Sequence, residues 1–198
     1  MRRIKTISHD GLTFALGEGV YEPAEDSEML LEEAVRRSPS SALDLGTGCG
    51  LLPVMIWRAG CPLVVATDIS RRALLSARDN ADRLAPGVKF VLVDLFRGIH
   101  ARFDLVTFNP PYLPVDLVGN ERRSWAGGRG GRGLIDTFIH EVGNHLSGDG
   151  VALLVHSSLN SLDSSRRLAG ESGLGLRVLE TRAFFFEKLY LIELSASG

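Results

Sequence analysis

The sequence predicts an α/β fold: a doubly wound, mostly parallel sheet with helices on both faces and a C-terminal antiparallel hairpin. Three observations predict it. Short apolar runs alternate with amphipathic stretches, the pattern of strands joined by crossover helices. Several of those runs end abruptly in an acid, a glycine or a proline. The last two apolar runs follow each other without a helix between them, which suits an antiparallel pair. No internal repeat and no second domain is evident, and 198 residues suffice for one domain with a sizeable core.

Each element has its own signal. Ile4 to Val20 holds short apolar stretches broken by Asp10-Gly11 and Gly17-Glu18-Gly19, a hairpin pattern. Glu25 to Arg37 carries acids early, Arg36-Arg37 late and apolar Met29, Leu30, Ala34 and Val35 between, so it reads as a helix. Ser41 to Leu45 is a short apolar strand, Leu51 to Ala59 a helix and Leu63 to Thr67 a strand. Ser70 is a suitable N-cap for a helix through Leu84, whose Ala73, Leu74, Ala77, Ala81 and Leu84 share a face. Val88 to Val93 and Phe103 to Phe108 read as strands. Leu134 to Leu146 reads as a helix, followed by the turn Ser147-Gly148-Asp149-Gly150 and the strand Val151 to His156. Leu162 to Ser172 is a helix. Leu176 to Thr181 and Phe184 to Leu194 form the closing hairpin, which assigns Phe184-Phe185-Phe186 to core and hairpin.

Composition excludes several classes. The formal net charge is -2 and the basic residues are 22, among which only Lys5, Lys89 and Lys188 are lysine. That balance argues against a dedicated duplex-DNA binder, which carries a basic footprint. Cys49 and Cys61 cannot by themselves build a disulfide framework or a zinc site. No apolar stretch approaches a membrane span, and no apolar segment follows Arg2-Arg3 as a signal peptide requires. A cytoplasmic protein with reduced thiols is expected.

The strand ends carry the chemistry. In open α/β sheets ligands bind beyond the carboxyl ends of strands. The first strand of the alternation ends in Asp44-Leu45-Gly46-Thr47-Gly48-Cys49-Gly50. Its G-x-G-x-G spacing departs from the dinucleotide pattern G-x-G-x-x-G, since Leu51 follows Gly50. The acid just ahead of it disfavours a phosphate and favours a cationic ligand such as S-adenosylmethionine. Asp68 ends the second strand and can accept from both hydroxyls of a ribose. Asp94 ends the third, where it can accept from an adenine amino group while Leu95 packs on the ring. A single such acid is ordinarily an N-cap or a solvated loop residue; three after successive strands outline a site. Phe103 to Phe108 then runs into Asn109-Pro110-Pro111-Tyr112. Two prolines remove two N–H donors, leaving the Asn109 side chain, the Pro110 carbonyl and the Tyr112 ring, an acceptor-rich clamp for a planar NH₂ group. A plain strand-ending turn is the alternative.

Taken together, these motifs resemble the Rossmann-like class I S-adenosylmethionine-dependent methyltransferases, in the branch that methylates planar nitrogens. Tyr21-Glu22-Pro23-Ala24-Glu25-Asp26-Ser27 and Trp125-Ala126-Gly127-Gly128-Arg129-x-Gly131 resemble the HemK-like glutamine methyltransferases of the eukaryotic and archaeal type. The long N-terminal helical domain of the bacterial release-factor enzymes is not expected here. The resemblance implies a single methyltransferase domain over 1–198, with 1–37 a hairpin and helix capping the cofactor site. It implies S-adenosyl-L-methionine as cofactor, S-adenosyl-L-homocysteine as product and no metal. Tyr21 and Ser27 would border the methionine end, and Asp44, Gly46 and Gly48 would form the glycine turn. Asp68 would hold the ribose, and Asp94 and Leu95 the adenine. Asn109, also beside the cofactor, and the Pro110 carbonyl would bind the substrate nitrogen under Tyr112. The implied substrate is the glutamine of a Gly-Gly-Gln motif in a translation release factor. The implied partner is a small zinc-binding activator on an apolar sheet edge.

An amide nitrogen is a poor nucleophile because its lone pair is delocalised. Accepting both of its N–H hydrogens in fixed geometry is the help an enzyme can give, so Asn109 reads as a positioning group and not a base. Three rivals stand beside this reading. A methyltransferase acting on the amino group of adenine or guanine in RNA or DNA would use the same clamp, though no target-recognition segment is evident for base flipping. A non-catalytic cofactor-binding scaffold would have no need of Asn109. A nicotinamide-dependent oxidoreductase would need the third glycine at the dinucleotide spacing. His100, His140, His145 and His156 show no metal-ligand spacing and read as surface or satisfied core residues. Arg122, Arg123, Arg129 and Arg132 fall in a Gly-rich stretch that reads either as a solvated loop or as a flap touching the substrate.

Overall fold

The computed structural model describes residues 5–111, 132–185 and 187–197. The chain divides into two compact units, Met1–Ile99 and His100–Gly198.

The first unit opens with an antiparallel hairpin, β1 (Lys5–His9) and β2 (Leu12–Leu16), turning through Asp10 and Gly11 at positive φ. Helix α1 (Glu25–Arg36) lacks a side-chain N-cap, but Glu25, Asp26 and Glu28 in its first turn face the positive end of its dipole. Then come β3 (Ser41–Leu45), α2 (Leu51–Arg58), β4 (Leu63–Asp68), α3 (Arg71–Leu84) and β5 (Lys89–Leu92). The strands lie in the order β5-β4-β3, all parallel, with β5 outermost. Ser70 caps α3 as expected, its hydroxyl accepting from Ala73 N. Fully buried Phe14, Met29, Leu30, Leu43 and Ile56 form the core.

The second unit holds β6 (Phe103–Phe108), α4 (Gly133–Val142), β7 (Leu146–Ser157), α5 (Leu162–Glu171), β8 (Leu174–Ala183) and β9 (Lys188–Ala196). β6 and β7 are parallel, and β9 runs antiparallel to both β7 and β8, in the order β6-β7-β9-β8. Its core includes Leu105, Phe138, Ile139, Leu153 and Ile192, with the Phe108 and Phe138 rings 5.1 Å apart. The parallel strands joined by helices and the antiparallel close are the predicted fold class.

Two differences from expectation exceed a shift of one or two residues at an element's end. The helix expected to reach Leu146 ends at Val142, tightens through a 3-10 turn at Gly143–His145, and gives way to a strand already at Leu146. Phe103 pairs with Leu146 and Leu105 with Val151, so 147–150 loops out of the ladder opposite Asp104 alone. Ser147 Oγ covers that acid with a 2.6 Å hydrogen bond. A side chain at Gly150 would meet the Phe103 carbonyl at 2.6 Å, so only glycine lets the chain rejoin. The second difference is at the last hairpin. Phe184 and Phe185 are not core: they sit in its turn, 38% and 95% exposed, because the bond from Phe184 N to Glu187 O closes the chain before β9 starts. Phe186 lies outside the described residues.

Candidate active site

In the first unit, three strand ends gather the acids that the sequence singles out. β3 delivers Asp44, 3% exposed, into a turn where Gly46, Gly48 and Gly50 all take positive φ, the region that L side chains avoid. Two of these glycines serve different ends. A side chain at Gly50 would meet Ala77 of α3 at 3.0 Å, while one at Gly48 would meet nothing within 4 Å. Gly50 therefore permits helix packing, and Gly48 faces open space. Asp68, at the end of β4, accepts from Gly48 N at 3.0 Å and from Ser70 N at 2.8 Å. Burial raises its carboxyl above the ordinary value, against the pull of those amides. Asp94 follows β5 and is exposed, and Leu95 sits at φ +44, a sparsely populated conformation for a leucine. Burial pushes the Cys49 thiol up to about 11, so it is no nucleophile at neutral pH.

Tyr21 and Ser27 meet on a carboxylate that the sequence reading quoted without a role. The Tyr21 hydroxyl lies 2.9 and 3.0 Å from the two oxygens of Asp26, and Ser27 N donates to that acid at 2.6 Å. Asp26 is 3% exposed. Asn80 was missed altogether. It is fully buried on α3, exchanges hydrogen bonds with Ala15 N and O at 2.8 and 2.9 Å, and donates to the Cys49 carbonyl at 2.9 Å. One side chain thus ties the hairpin to the glycine turn. Its signal was available: Ser76 and Asn80, four apart, are polar on the apolar face of α3, and Ser76 also bonds to Ala15 and Gly17.

In the second unit β6 ends at Phe108 and passes directly into Asn109, half-buried with its Oδ1 inaccessible, and buried Pro110. Tyr112, Arg122, Arg123, Trp125 and Arg129 lie outside the described residues. Arg132 does not belong to a solvated loop. It donates to Ser161 O at 3.0 Å and to Ser165 Oγ at 3.1 Å and pairs with Asp136, pinning the start of α4 to the turn before α5. His156, at the end of β7, corrects a second reading. It is fully buried, Nε2 lies 2.8 Å from Ser165 Oγ, and Nδ1 has no hydrogen-bond partner among the described residues. Burial and the Arg132 charge lower its pKa to about 4, so the ring is neutral at physiological pH. Among the described residues no three potential ligands cluster to hold a metal, and no helix is long and apolar enough to cross a membrane.

Comparison with known proteins joins these observations. The family model of the methyltransferase small domain matches residues 19–170. A Methanocaldococcus jannaschii chain, provisionally named a protein N5-glutamine methyltransferase, is 32% identical over 190 residues, covering 94% of this chain and 96% of that one. The human methyltransferase HEMK2 is 33% identical over 174 residues, 78% of this chain and 79% of that one. Among solved structures, Mtq2 of E. cuniculi, in its complex with Trm112, superposes with a TM-score of 0.70 at 31% identity, covering 90% of this chain and 99% of that one. Its description makes that complex responsible for methylating the eRF1 translation termination factor. The strand-end acids, the glycine turn and the Asn-Pro-Pro segment thus sit in a chain that belongs to the HemK-like branch of the class I S-adenosylmethionine-dependent methyltransferases.

Proposed function

We propose that the chain methylates the side-chain amide of the glutamine in the Gly-Gly-Gln motif of a translation release factor. Its relatives' names point there. The observation that carries the reading is the passage of β6 straight into Asn109-Pro110-Pro111, where neither proline has a backbone N–H to donate. Asn109 Oδ1 and the Pro110 carbonyl would then accept the two hydrogens of the substrate amide and turn its nitrogen toward the methyl group; the part of Tyr112, outside the described residues, would be to cover the plane.

The first unit's residues fit S-adenosyl-L-methionine. Thr47 Oγ1, in the glycine turn, is a buried hydroxyl with no hydrogen-bond partner among the described residues, and the space at Gly48 is open. Asp44, Gly46 and Gly48 would line the methionine end with Tyr21 and Ser27, which Asp26 holds in place. Asp68 would take the ribose and Asp94 with Leu95 the adenine. The segment 1–37 would cap this site through the Asn80 tie. When bound, the cofactor supplies a sulfonium methyl electrophilic enough that no metal or covalent intermediate is required. Positioning can account for several kcal/mol of the barrier, roughly 7 in favourable cases. The amide proton leaves after transfer, so no residue has to act as a strong base.

A small zinc-binding activator belongs to the same proposal. The solved relative is a two-protein complex, and the outer strand β5 exposes Val91 and Leu92, an apolar edge such a partner would cover. The reaction would take place in the cytoplasm, where release factors act. Incubating the chain with labelled cofactor, a release factor, its Gln→Ala variant and total RNA tests the reading. Label in the factor and none in the variant is the expected result; label in RNA alone would overturn it.

A further inference from the structure

Three large apolar side chains of the second unit's described residues are exposed: Leu159 at 44%, Phe184 at 38% and Phe185 at 95%. All three lie at one end of the strands. β7 is parallel to β6, and β9 is antiparallel to β7, with Ser157 opposite Leu189. The start of β9 and the turn before it therefore lie beyond the carboxyl end of β7, the end at which β6 gives way to Asn109. The two turns that carry these side chains are tied together. Lys188 N donates to Ser158 Oγ at 3.0 Å and Ser157 Oγ bonds to Glu187, while Phe184 N closes the hairpin on Glu187 O at 2.8 Å. These bonds run between backbone and polar side-chain atoms, and the turn they hold leaves the Phe184 and Phe185 side chains exposed. Aromatic side chains on a pinned, exposed turn are what contact surfaces use as anchors.

We infer that Leu159, Phe184 and Phe185 form the docking surface for the protein that carries the methylated glutamine, engaging an apolar side chain close to that residue. The inference rests on the protein-substrate reading above. Distance supports this occupant. Adjacent strands are about 4.8 Å apart, so β9 lies roughly 10 Å from β6 across β7. Phe108 is level with Leu154 and Ile192, and Lys188 lies roughly 13 Å further along, which puts the start of β9 roughly 16 Å from the end of β6. An extended chain advances about 3.3 Å per residue. A peptide with its glutamine at Asn109-Pro110 therefore reaches the hairpin tip with a residue about five or six positions away. The acceptor turn recognises an amide group that every glutamine carries. The aromatic tip supplies what the turn lacks, a contact with the sequence and surface around it.

The test is steady-state methyl transfer to the intact release factor by the wild-type chain and by its Phe185→Ser and Leu159→Ser variants. Binding of S-adenosylhomocysteine is measured by calorimetry and self-association by sedimentation. Both positions are exposed, so folding is preserved and cofactor affinity reports it. The expected result for Phe185→Ser is a KM for the factor raised at least fivefold, with kcat and cofactor affinity unchanged; Leu159→Ser shifts KM in the same direction. An unchanged KM in both variants would overturn the inference and leave the substrate reading standing. So would a rise in KM that tracks loss of a dimer, which would make a second copy of the chain the occupant. No transfer by the wild-type chain would overturn the substrate reading, and the inference with it.

Discussion

Asn109 concentrates the chemistry of the account in one side chain. In the proposed mechanism it would provide an acceptor in fixed geometry and no proton transfer, so its removal should separate binding from turnover. Asn109→Ala is expected to keep S-adenosylhomocysteine affinity within a small factor and to lower kcat by about a hundredfold, the scale of a misplaced reactant. Calorimetry alongside a single-turnover assay checks both halves; unchanged turnover would remove Asn109 from its role. His156 leads to a prediction of another kind. Its folded pKa of about 4 lies below the ordinary 6.5, so the native ring stays neutral where the unfolded ring takes up a proton. The unfolded state then binds more protons between those values, and stability falls as pH drops from about 6.5 toward 4. The full loss is about 3 kcal/mol, and a His156→Phe variant should lack this component in urea melts followed across that range. At this scale the sequence was readable for residues at strand ends and less so for buried polar ones. Asp44, Asp68, Asp94 and Asn109 stand where a run stops, which position alone reveals. That His156 Nδ1 has no hydrogen-bond partner among the described residues depends on packing that no spacing encodes.

The helix α3 shows what an element adds. Its sequence announces an amphipathic helix with a serine cap, and that is how it folds. Its second task is carried by Asn80, which holds Ala15 and the Cys49 carbonyl at once. Asn80→Ala would leave those buried backbone groups unpaired, at a cost of about 3 kcal/mol. It should also loosen the hairpin from the glycine turn. Faster amide exchange at Ala15 together with weaker cofactor binding is the expected signature; lost stability with unchanged exchange at Ala15 would refute the tie. The differences from expectation are also element-sized. A helix was carried to Leu146 because Leu146 continues the apolar spacing, yet its backbone pairs with Phe103. The loop-out at 147–150 hid the start of β7 by putting turn residues inside a strand. Phe184-Phe185 looked like core because phenylalanine is usually buried, and the hairpin turn at 184–187 overrode that preference.

For the molecule as a whole, the alternation of apolar and amphipathic runs was enough to predict the fold class. It works because parallel strands are buried on both faces and read as continuous apolar segments. Function was legible to a lesser depth. The glycine turn and the strand-end acids narrow the cofactor by charge and spacing, whereas glutamine and adenine present the same planar NH₂ to Asn109-Pro110. The nature of the acceptor therefore comes from relatives and from the surface proposed around the site, not from the residues proposed to hold the nitrogen. The most direct measurement is tandem mass spectrometry of a release factor after incubation with this chain and S-adenosylmethionine. The expected product carries one added methyl group on the side-chain nitrogen of the glutamine in Gly-Gly-Gln, absent when Asn109 is alanine. A methyl group on any other residue of the factor, or found only on a nucleobase of added RNA, would contradict the proposed function.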